Sequence, residues 1–493
     1  MKKIATLITA LFLLVSCDET FDINRDPDLL PPGQAYSTIL PAGIAGVAGA
    51  QGSYYAIVGG FWSQFWTQNT TSNQYKDVDQ YSIGTNDYQV GWTAMYDALN
   101  DIRVVKAKAL KESNWNYFLI ATVLEVQASQ VMTDLYDDIP YTEANNPLIL
   151  QPKFNTGKET YDLMIADLKL ALSKDQSASV GDKPAKDDFI FGGDMTQWTK
   201  YGNTLLLKLH MRLTEVNPTL AQSGIKALID SGAQFLDVDA SMHNFEDADS
   251  KSNPLFESDR RQLNTTLNLK ASTTLYSYLD VNSDPRITKY YENGGTSVGK
   301  ANNQGDFLNN VTGLSTVILA PKTPVYFISA EESYFLQAEA LTRYYGGAGA
   351  KTKYDLGVAA NFAKYNTTTK VGSTDIPPVG SPAVLLAAGG KYEFPATGTA
   401  AQIEAIITQK WIASFPGNGY ESFLEQNRTG YPKVSAVPQS NELYIAGQFA
   451  VSVQSVIGNK FPKRIVLPNT VKTRNPNAPA LKAISLPVWW DVN

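Results

Sequence analysis

A mostly α-helical chain, with long loops set between its helices, is the fold this sequence predicts. Three observations predict it. Apolar residues recur at three- and four-residue intervals through Trp92, Met95, Tyr96, Leu99 and Ile102, the period of an amphipathic helix. Helix-boundary residues stand where such segments begin and end: Asn114 before one, Ser329 and Glu332 at capping-box spacing before another, and Gly346-Gly347 after it. Turn formers gather in separate blocks, at 235–325, at 371–400 and from Pro432 onward, rather than spreading evenly. With 43% hydrophobic and 18% charged residues over 493 positions, the chain has the content of a packed globule.

Taken in order, the chain opens with Lys2 and Lys3, then a short apolar run from Ile4 to Val15. A span of the bilayer needs about 20 apolar residues, so this run suits the core of a signal peptide. It leads into Leu14-Val15-Ser16-Cys17, which resembles the lipobox of bacterial lipoproteins. Cys17 is the only cysteine of the chain, which excludes an intrachain disulfide and a cysteine-based metal cluster. The resemblance implies cleavage before Cys17 and acylation of its thiol and new amino group, with palmitate among the acyl chains. A multiply acylated cysteine anchors stably, because each buried CH₂ contributes about 0.8 kcal/mol. Residues 1–16 are then a lipoprotein signal peptide and 17–35 a lipidated tether, with Pro31-Pro32-Gly33 opposing regular structure. Asp18-Glu19 resembles the acidic signal that sends such lipoproteins to the cell surface in Bacteroidetes.

From about 36 to 215 the pattern is mainly helical. The run from Trp92 through Ala109 is followed by a helix from Asn114 to about Tyr136, then by Thr160–Leu172 and by Thr196–Leu213, the last bounded by Pro218. Residues 235–325 read as loops with short elements. Helix returns at 330–345, 371–400 reads as a surface excursion, 401–415 is helical again, and the remainder is irregular. No fixed-period repeat is visible.

Several chemistries find no support. A formal net charge of -7 without a basic cluster argues against a nucleic-acid binder. Two histidines, His210 and His243, are too few for most histidine-based sites, and His210 lies in an apolar helical run. There is no His-Glu-x-x-His or Gly-x-Ser-x-Gly motif. Gly346–Thr352 lacks the glycine of a phosphate loop before Lys351. Asp280, Asn282 and Asp284 begin like a calcium loop, but Pro285 and Tyr291 stand where glycine and glutamate are required. Asp137-Asp138 is one adjacent carboxylate pair among 48 acidic residues, so catalysis is not expected and no cofactor or metal is implied.

Seven segments, in order, resemble signature stretches of the SusD/RagB lipoproteins, in particular the SusD-like branch. They are Asn24-Arg25-Asp26-Pro27; Thr133-Asp134-Leu135-Tyr136-Asp137-Asp138-Ile139-Pro140-Tyr141-Thr142-Glu143-Ala144; and the helix from Gln197-Trp198 to Met211-Arg212. The others are Asp284-Pro285-Arg286; Ser329–Glu332 leading to Gln337-Ala338-Glu339-Ala340; Gln409-Lys410-Trp411 with Arg428-Thr429-Gly430-Tyr431-Pro432; and Arg464-Ile465 with Leu467-Pro468 and Asn475. The second departs from the family at Asp137, where glycine is usual, which puts the turn there in question. The resemblance implies a tetratricopeptide-like helix-pair scaffold carrying loop-rich insertions over 36–493. It implies a surface receptor that captures oligosaccharide, or in some relatives peptide, and passes it to a SusC-like TonB-dependent outer-membrane barrel. It also implies that the signature stretches are structural.

Binding of sugar rings asks for flat aromatic faces together with amides and carboxylates. The segment 61–92 supplies both, and its candidates are Trp66, Tyr75, Tyr81 and Tyr88 with Asn73 and Asp79. Trp62, Phe65, Trp66 and Trp92 stand at helix-like spacing and suit a core better than a binding face, while Tyr75, Tyr81 and Tyr88 sit among polar residues and are the better candidates. Tyr290-Tyr291 forms a second, weaker cluster. A glycoside hydrolase, a peptide receptor and a structural surface protein remain the alternatives.

Overall fold

The computed structural model describes residues 36–263 and 268–493; the expected signal peptide, Cys17 and the expected tether, including Asn24–Pro27, lie outside the described residues. Its helices are α1 (Tyr36–Ala50), α2 (Ala56–Trp62), α3 (Gln89–Glu112), α4 (Trp115–Tyr136), α5 (Gly157–Leu172), α6 (Met195–Arg212) and α7 (Pro218–Asp230). After these come α8 (Thr273–Val281), α9 (Ala330–Tyr344), α10 (Ala350–Lys364), α11 (Thr399–Ala413), α12 (Gly419–Thr429) and α13 (Asn469–Arg474). Six three- or four-residue strands form three two-stranded antiparallel ladders: β1 (Trp66–Gln68) with β3 (Leu269–Ala271), β2 (Ala240–Met242) with β4 (Val325–Ile328), and β5 (Thr369–Val371) with β6 (Thr374–Ile376). The molecule is a scaffold of paired helices with the strands confined to the insertions.

The helix boundaries have local causes. The Asn114 side chain accepts the Tyr117 N–H and starts α4 as the sequence predicts. Thr156 and Glu159 close a reciprocal capping box at α5. At α9 only half of the expected box forms, with Ser329 accepting the Glu332 N–H. The helix α6 ends short of Pro218, as the sequence predicts, but Pro218 has a second role. It is the first residue of α7, where its missing N–H costs nothing, and Asn217 caps it. The helices α10 and α12, which the sequence pattern does not single out, complete pairs with α9 and with α11 and α2. Gly59 and Gly419 let α2 and α12 touch backbone to backbone: a Cβ at Gly59 would stand 2.0 Å from the Tyr420 nitrogen.

Signature residues far apart in sequence meet inside the scaffold. Arg212 of α6 pairs with Asp134 of α4 at 3.1 Å, and with Glu421 and Glu425 of α12 at 2.9 and 3.0 Å. Lys208, one turn earlier, reaches Glu421 at 2.6 Å and Glu332 of α9 at 3.1 Å. Lys410 of α11 bridges Glu332 and Glu425 at 3.5 and 3.3 Å, and Arg428 joins Glu425 to Glu339, the latter at 2.7 Å. Five carboxylates and four cations are thus buried together, and Arg343 adds a fifth cation at the edge through Glu339 at 2.8 Å. Burial alone pushes the Glu425 carboxyl up, but Arg428, Lys410 and Arg212 together hold it well below the ordinary carboxylate range. A second buried cluster ties Arg286 to Asp284 at 2.6 Å, to Asn361 at 2.8 Å and to Gln409 at 3.0 Å. Asp284, the third of the residues that mimic a calcium loop, thereby serves an arginine.

The turn at Asp137 has φ +79°, a conformation glycine adopts without strain. Its carboxylate offsets the substitution by accepting from Arg464, Lys482 and the Trp489 N–H at 2.9, 2.8 and 3.0 Å. This joins the end of α4 to the C-terminal segment. Among the described residues no helix is long and apolar enough to cross a membrane.

Candidate functional site

A cleft of about 640 Å³ opens where the insertions meet the scaffold. Its walls come from six segments: Arg260, Lys289 with Glu292, the stretch Thr316–Ala320, β4 with the residues before it, the β5–β6 hairpin with the end of α10, and Phe415-Pro416. That volume lies within the range of about 300–1,000 Å³ typical of small-molecule sites.

The aromatic wall is built in layers. Phe415 stacks on Tyr290 with ring centroids 4.1 Å apart, and Tyr365 meets Tyr290 edge-on at 5.2 Å. Tyr290 itself is buried and gives its hydroxyl to the Ile412 carbonyl at 3.0 Å, so it backs the wall rather than facing the lumen. Tyr326, on β4, carries the Lys364 ammonium 3.7 Å from its ring centroid. Lys364 is anchored in turn by Glu331 at 2.8 Å and Asp239 at 3.0 Å. Burial pushes the Tyr326 hydroxyl up to about 12, with Lys364 pulling the other way, so the ring stays neutral across the physiological range.

Two smaller chambers of about 20 Å³ each adjoin the cleft, and Tyr326 lines all three spaces. One chamber is bordered by Gln51, whose amide donates to the Tyr420 hydroxyl at 2.7 Å while its buried Oε1 has no partner among the described residues. Gln51 begins a π-helical turn, Gln51–Tyr55, and a second such turn, Glu257–Arg261, brings Arg260 to the cleft. Turns of this kind recur at functional positions.

The polar equipment of the cleft suits recognition. The Glu292 side chain makes no hydrogen bond or ion pair among the described residues, and it is the one carboxylate among the described residues of the cleft wall. Hydrolysis of a glycosidic bond ordinarily needs two carboxyl groups facing each other. Aromatic faces, carbonyls and a free carboxylate can hold a sugar ring without such a pair. A second cavity of about 460 Å³ lies on the scaffold between α7, α9 and α10, lined by Phe235, Tyr334, Gln337 and Lys353 among others.

The sequence-predicted residues sit elsewhere. Trp66 is fully buried, edge-on to Phe61, Phe65 and Phe415, one side chain behind the cleft wall. Tyr81 is buried, with φ +65° and its hydroxyl accepting the Ser452 N–H at 3.3 Å. Asp79 is buried and fastens three segments, accepting from Thr67 Oγ1 at 2.6 Å, the Gln68 N–H at 2.8 Å and Gln304 Nε2 at 2.5 Å. Without a cation beside it, burial raises its carboxyl to about 6. Tyr75 is buried against Phe61, within electrostatic reach of Arg260. These four side chains present no free face in this structure. Pairing of β1 with β3 and the loops at 302–305 and 450–453 cover them. Asn73 is exposed, and Tyr88 is half-buried, donating to Asp77 at 3.2 Å. Tyr291 is buried with Tyr290, yet their neighbours Lys289 and Glu292 line the cleft. Tyr326, Tyr365, Glu292 and Arg260 escaped the sequence reading, since they come from separate segments that share no spacing.

Comparison with known proteins follows the same lines. Residues 45–448 match the SusD-like family model described as starch-binding and associating with the outer membrane. Among solved structures, a SusD homologue of Bacteroides uniformis superposes with TM-score 0.68 at 21% identity, over 93% of this chain and 100% of the other. A chitin-binding SusD homologue of Flavobacterium johnsoniae gives 0.70 at 22% identity, over 92% and 99%. A SusD homologue of Bacteroides thetaiotaomicron gives 0.67 at 21%, over 93% and 99%. At these identities the superpositions establish the fold. No curated protein matches the sequence.

Proposed function

The chain belongs to the SusD-like family, and from that premise we propose that it captures an oligosaccharide at the cell surface and holds it in the cleft beside Tyr326. The observation that carries this reading is the cleft itself: an aromatic wall, a free carboxylate and about 640 Å³ of space in a chain whose family is named for starch binding. Asn73 and Tyr88 are the remaining surface members of the sequence-derived set, and we assign them at most an outer contact.

The same reading assigns Cys17 as the acylated anchor in the outer membrane, with the tether of 17–35 holding the receptor outside the cell. It assigns a TonB-dependent barrel as the acceptor of the captured glycan. Calorimetry of the purified protein against oligosaccharides and oligopeptides tests the function. Saturable binding of at least one oligosaccharide is expected, and it should weaken when Tyr326 is replaced by Ala. Binding of peptides alone, or of nothing, by a well-folded protein would overturn the assignment. Metabolic labelling with a fatty-acid probe, lost in Cys17→Ala, tests the anchor separately.

A further inference from the structure

Two buried ammonium groups at the cleft face neutral oxygens only. Lys289 is 4% exposed and Lys270 is 7% exposed. Lys289 Nζ donates to the Thr367 and Ile376 carbonyls at 2.7 and 3.0 Å and to Thr369 Oγ1 at 2.9 Å. Lys270, behind Thr316, donates to Thr316 Oγ1 at 2.8 Å and the Leu314 carbonyl at 3.3 Å, so one of its three N–H groups is left over. Neither ammonium has a carboxylate partner among the described residues, and residues 264–267 are Asn-Thr-Thr-Leu, which carry no charge.

Arg260 completes the group. Its guanidinium contacts Asp259 and donates to the Val317 carbonyl at 2.8 Å. Burial lowers the pKa of all three cations, Arg260 to about 10, and Glu292 opposes that effect for Arg260 and Lys270. The other cations of the wall are already matched, Lys364 by Glu331 and Asp239 and Lys370 by Asp375. Among the described residues three cations therefore stand against two carboxylates, Glu292 in the partly dehydrated wall and Asp259 buried behind it. Buried charge ordinarily has its partner within the protein, because an unpaired ion loses hydration without replacement. Beside a cleft, the missing charge has an evident source in the ligand.

We propose that the cleft takes an anionic oligosaccharide, whose uronate or sulfate group docks near Lys270, Lys289 and Arg260 while a sugar ring rests against Tyr326. This rests on the glycan-binding reading above and narrows it to a substrate class. Electrostatic attraction of this kind weakens with salt, since the screening length falls from about 10 Å at 0.1 M to about 3 Å at 1 M.

The test is calorimetry of the detergent-solubilised full chain with four probes of similar length: oligogalacturonate, a sulfated galactan oligomer, maltoheptaose and oligo-glutamate. One or both acidic sugars should bind about tenfold or more tighter than maltoheptaose, with a preference that shrinks as salt rises. Which of the two binds separates carboxylate from sulfate recognition. Lys270→Met should lower the ratio of acidic to neutral affinity, and Glu292→Gln, which removes a like charge from the wall, should raise it about threefold or more. The Glu292 side chain makes no hydrogen bond or ion pair among the described residues and acts on Arg260 and Lys270 only at a distance, so this variant decides the matter even where Lys270→Met fails to fold. Maltoheptaose binding without acidic-sugar binding would overturn the proposal and leave the glycan reading intact. Failure of every sugar would sink both, as would binding of oligo-glutamate alone. A ratio unmoved by Glu292→Gln would also overturn the proposal.

Discussion

Two regions of this molecule bury charge, and they do it in opposite ways. Between α4, α6, α9, α11 and α12, every cation of the network touches at least one carboxylate and most touch two or more. At the cleft, Lys270 and Lys289 are as deeply placed but meet only carbonyls and hydroxyls. The scaffold is electrically closed, while the cleft wall is left incomplete. The difference separates residues that specify the fold from residues that await a partner, although both groups contain buried lysine.

The largest effect that would test this contrast is at Arg212. Replacing it by Met leaves Asp134, Glu421 and Glu425 buried without their shared partner, so a loss of about 3–5 kcal/mol in denaturant unfolding is expected. Retention of near-parental stability would show that the network does not hold the helices together.

Acid offers a second test, through a buried group that the network does not include. His210 is packed against Gly224, both ring nitrogens lack a partner among the described residues, and burial lowers its pKa from 6.5 to about 4. A depressed histidine keeps its full contribution above the unfolded pKa and loses it as the pH falls through the folded one, so roughly 3 kcal/mol disappears between pH 6.5 and 4. His210→Leu should be near neutral at pH 7 and should flatten that slope by about one proton. Asp79, with a raised pKa, tilts the opposite way over much of that window, so the slope is to be read as variant minus parent. Identical slopes in the two proteins would rule out a buried neutral imidazole.

The smallest effect belongs to the cleft. Lys289→Met strands no carboxylate and removes three bonds to neutral oxygens beside a solvent-filled space, for a loss of about 1–2 kcal/mol. A loss as large as that of Arg212→Met would erase the distinction between the two regions.

How much of this was legible beforehand follows the same division. Long amphipathic helices with local caps, such as α4 behind Asn114, could be read because their signal lies within one stretch of chain. The signature motifs could be recognised, but not why they matter: Asp134, Lys208, Arg212, Glu339, Lys410 and Arg428 reveal their common role only when five helices converge. Pro218 shows only half of its role to a reading of the sequence: it lies beyond the end of α6, and it also opens α7, where its missing N–H costs nothing. The segment 61–92 has the composition of a sugar site, yet composition does not report that β1 is covered by β3 and that Gln304 and Ser452 close over Asp79 and Tyr81. The cleft is assembled from pieces more than a hundred residues apart, so it has no linear signature.

Tyr326 lines the cleft and both adjoining chambers, and its side chain takes no part in the buried network. The most direct measurement is therefore a pair of titrations, parent and Tyr326→Ala, against the tightest-binding oligosaccharide, with thermal unfolding recorded on the same samples. At least a tenfold loss of affinity, about 1.4 kcal/mol, with a melting temperature lowered by only a few degrees, is the predicted result. Undiminished binding by a folded Tyr326→Ala protein would contradict the placement of the ligand in this cleft.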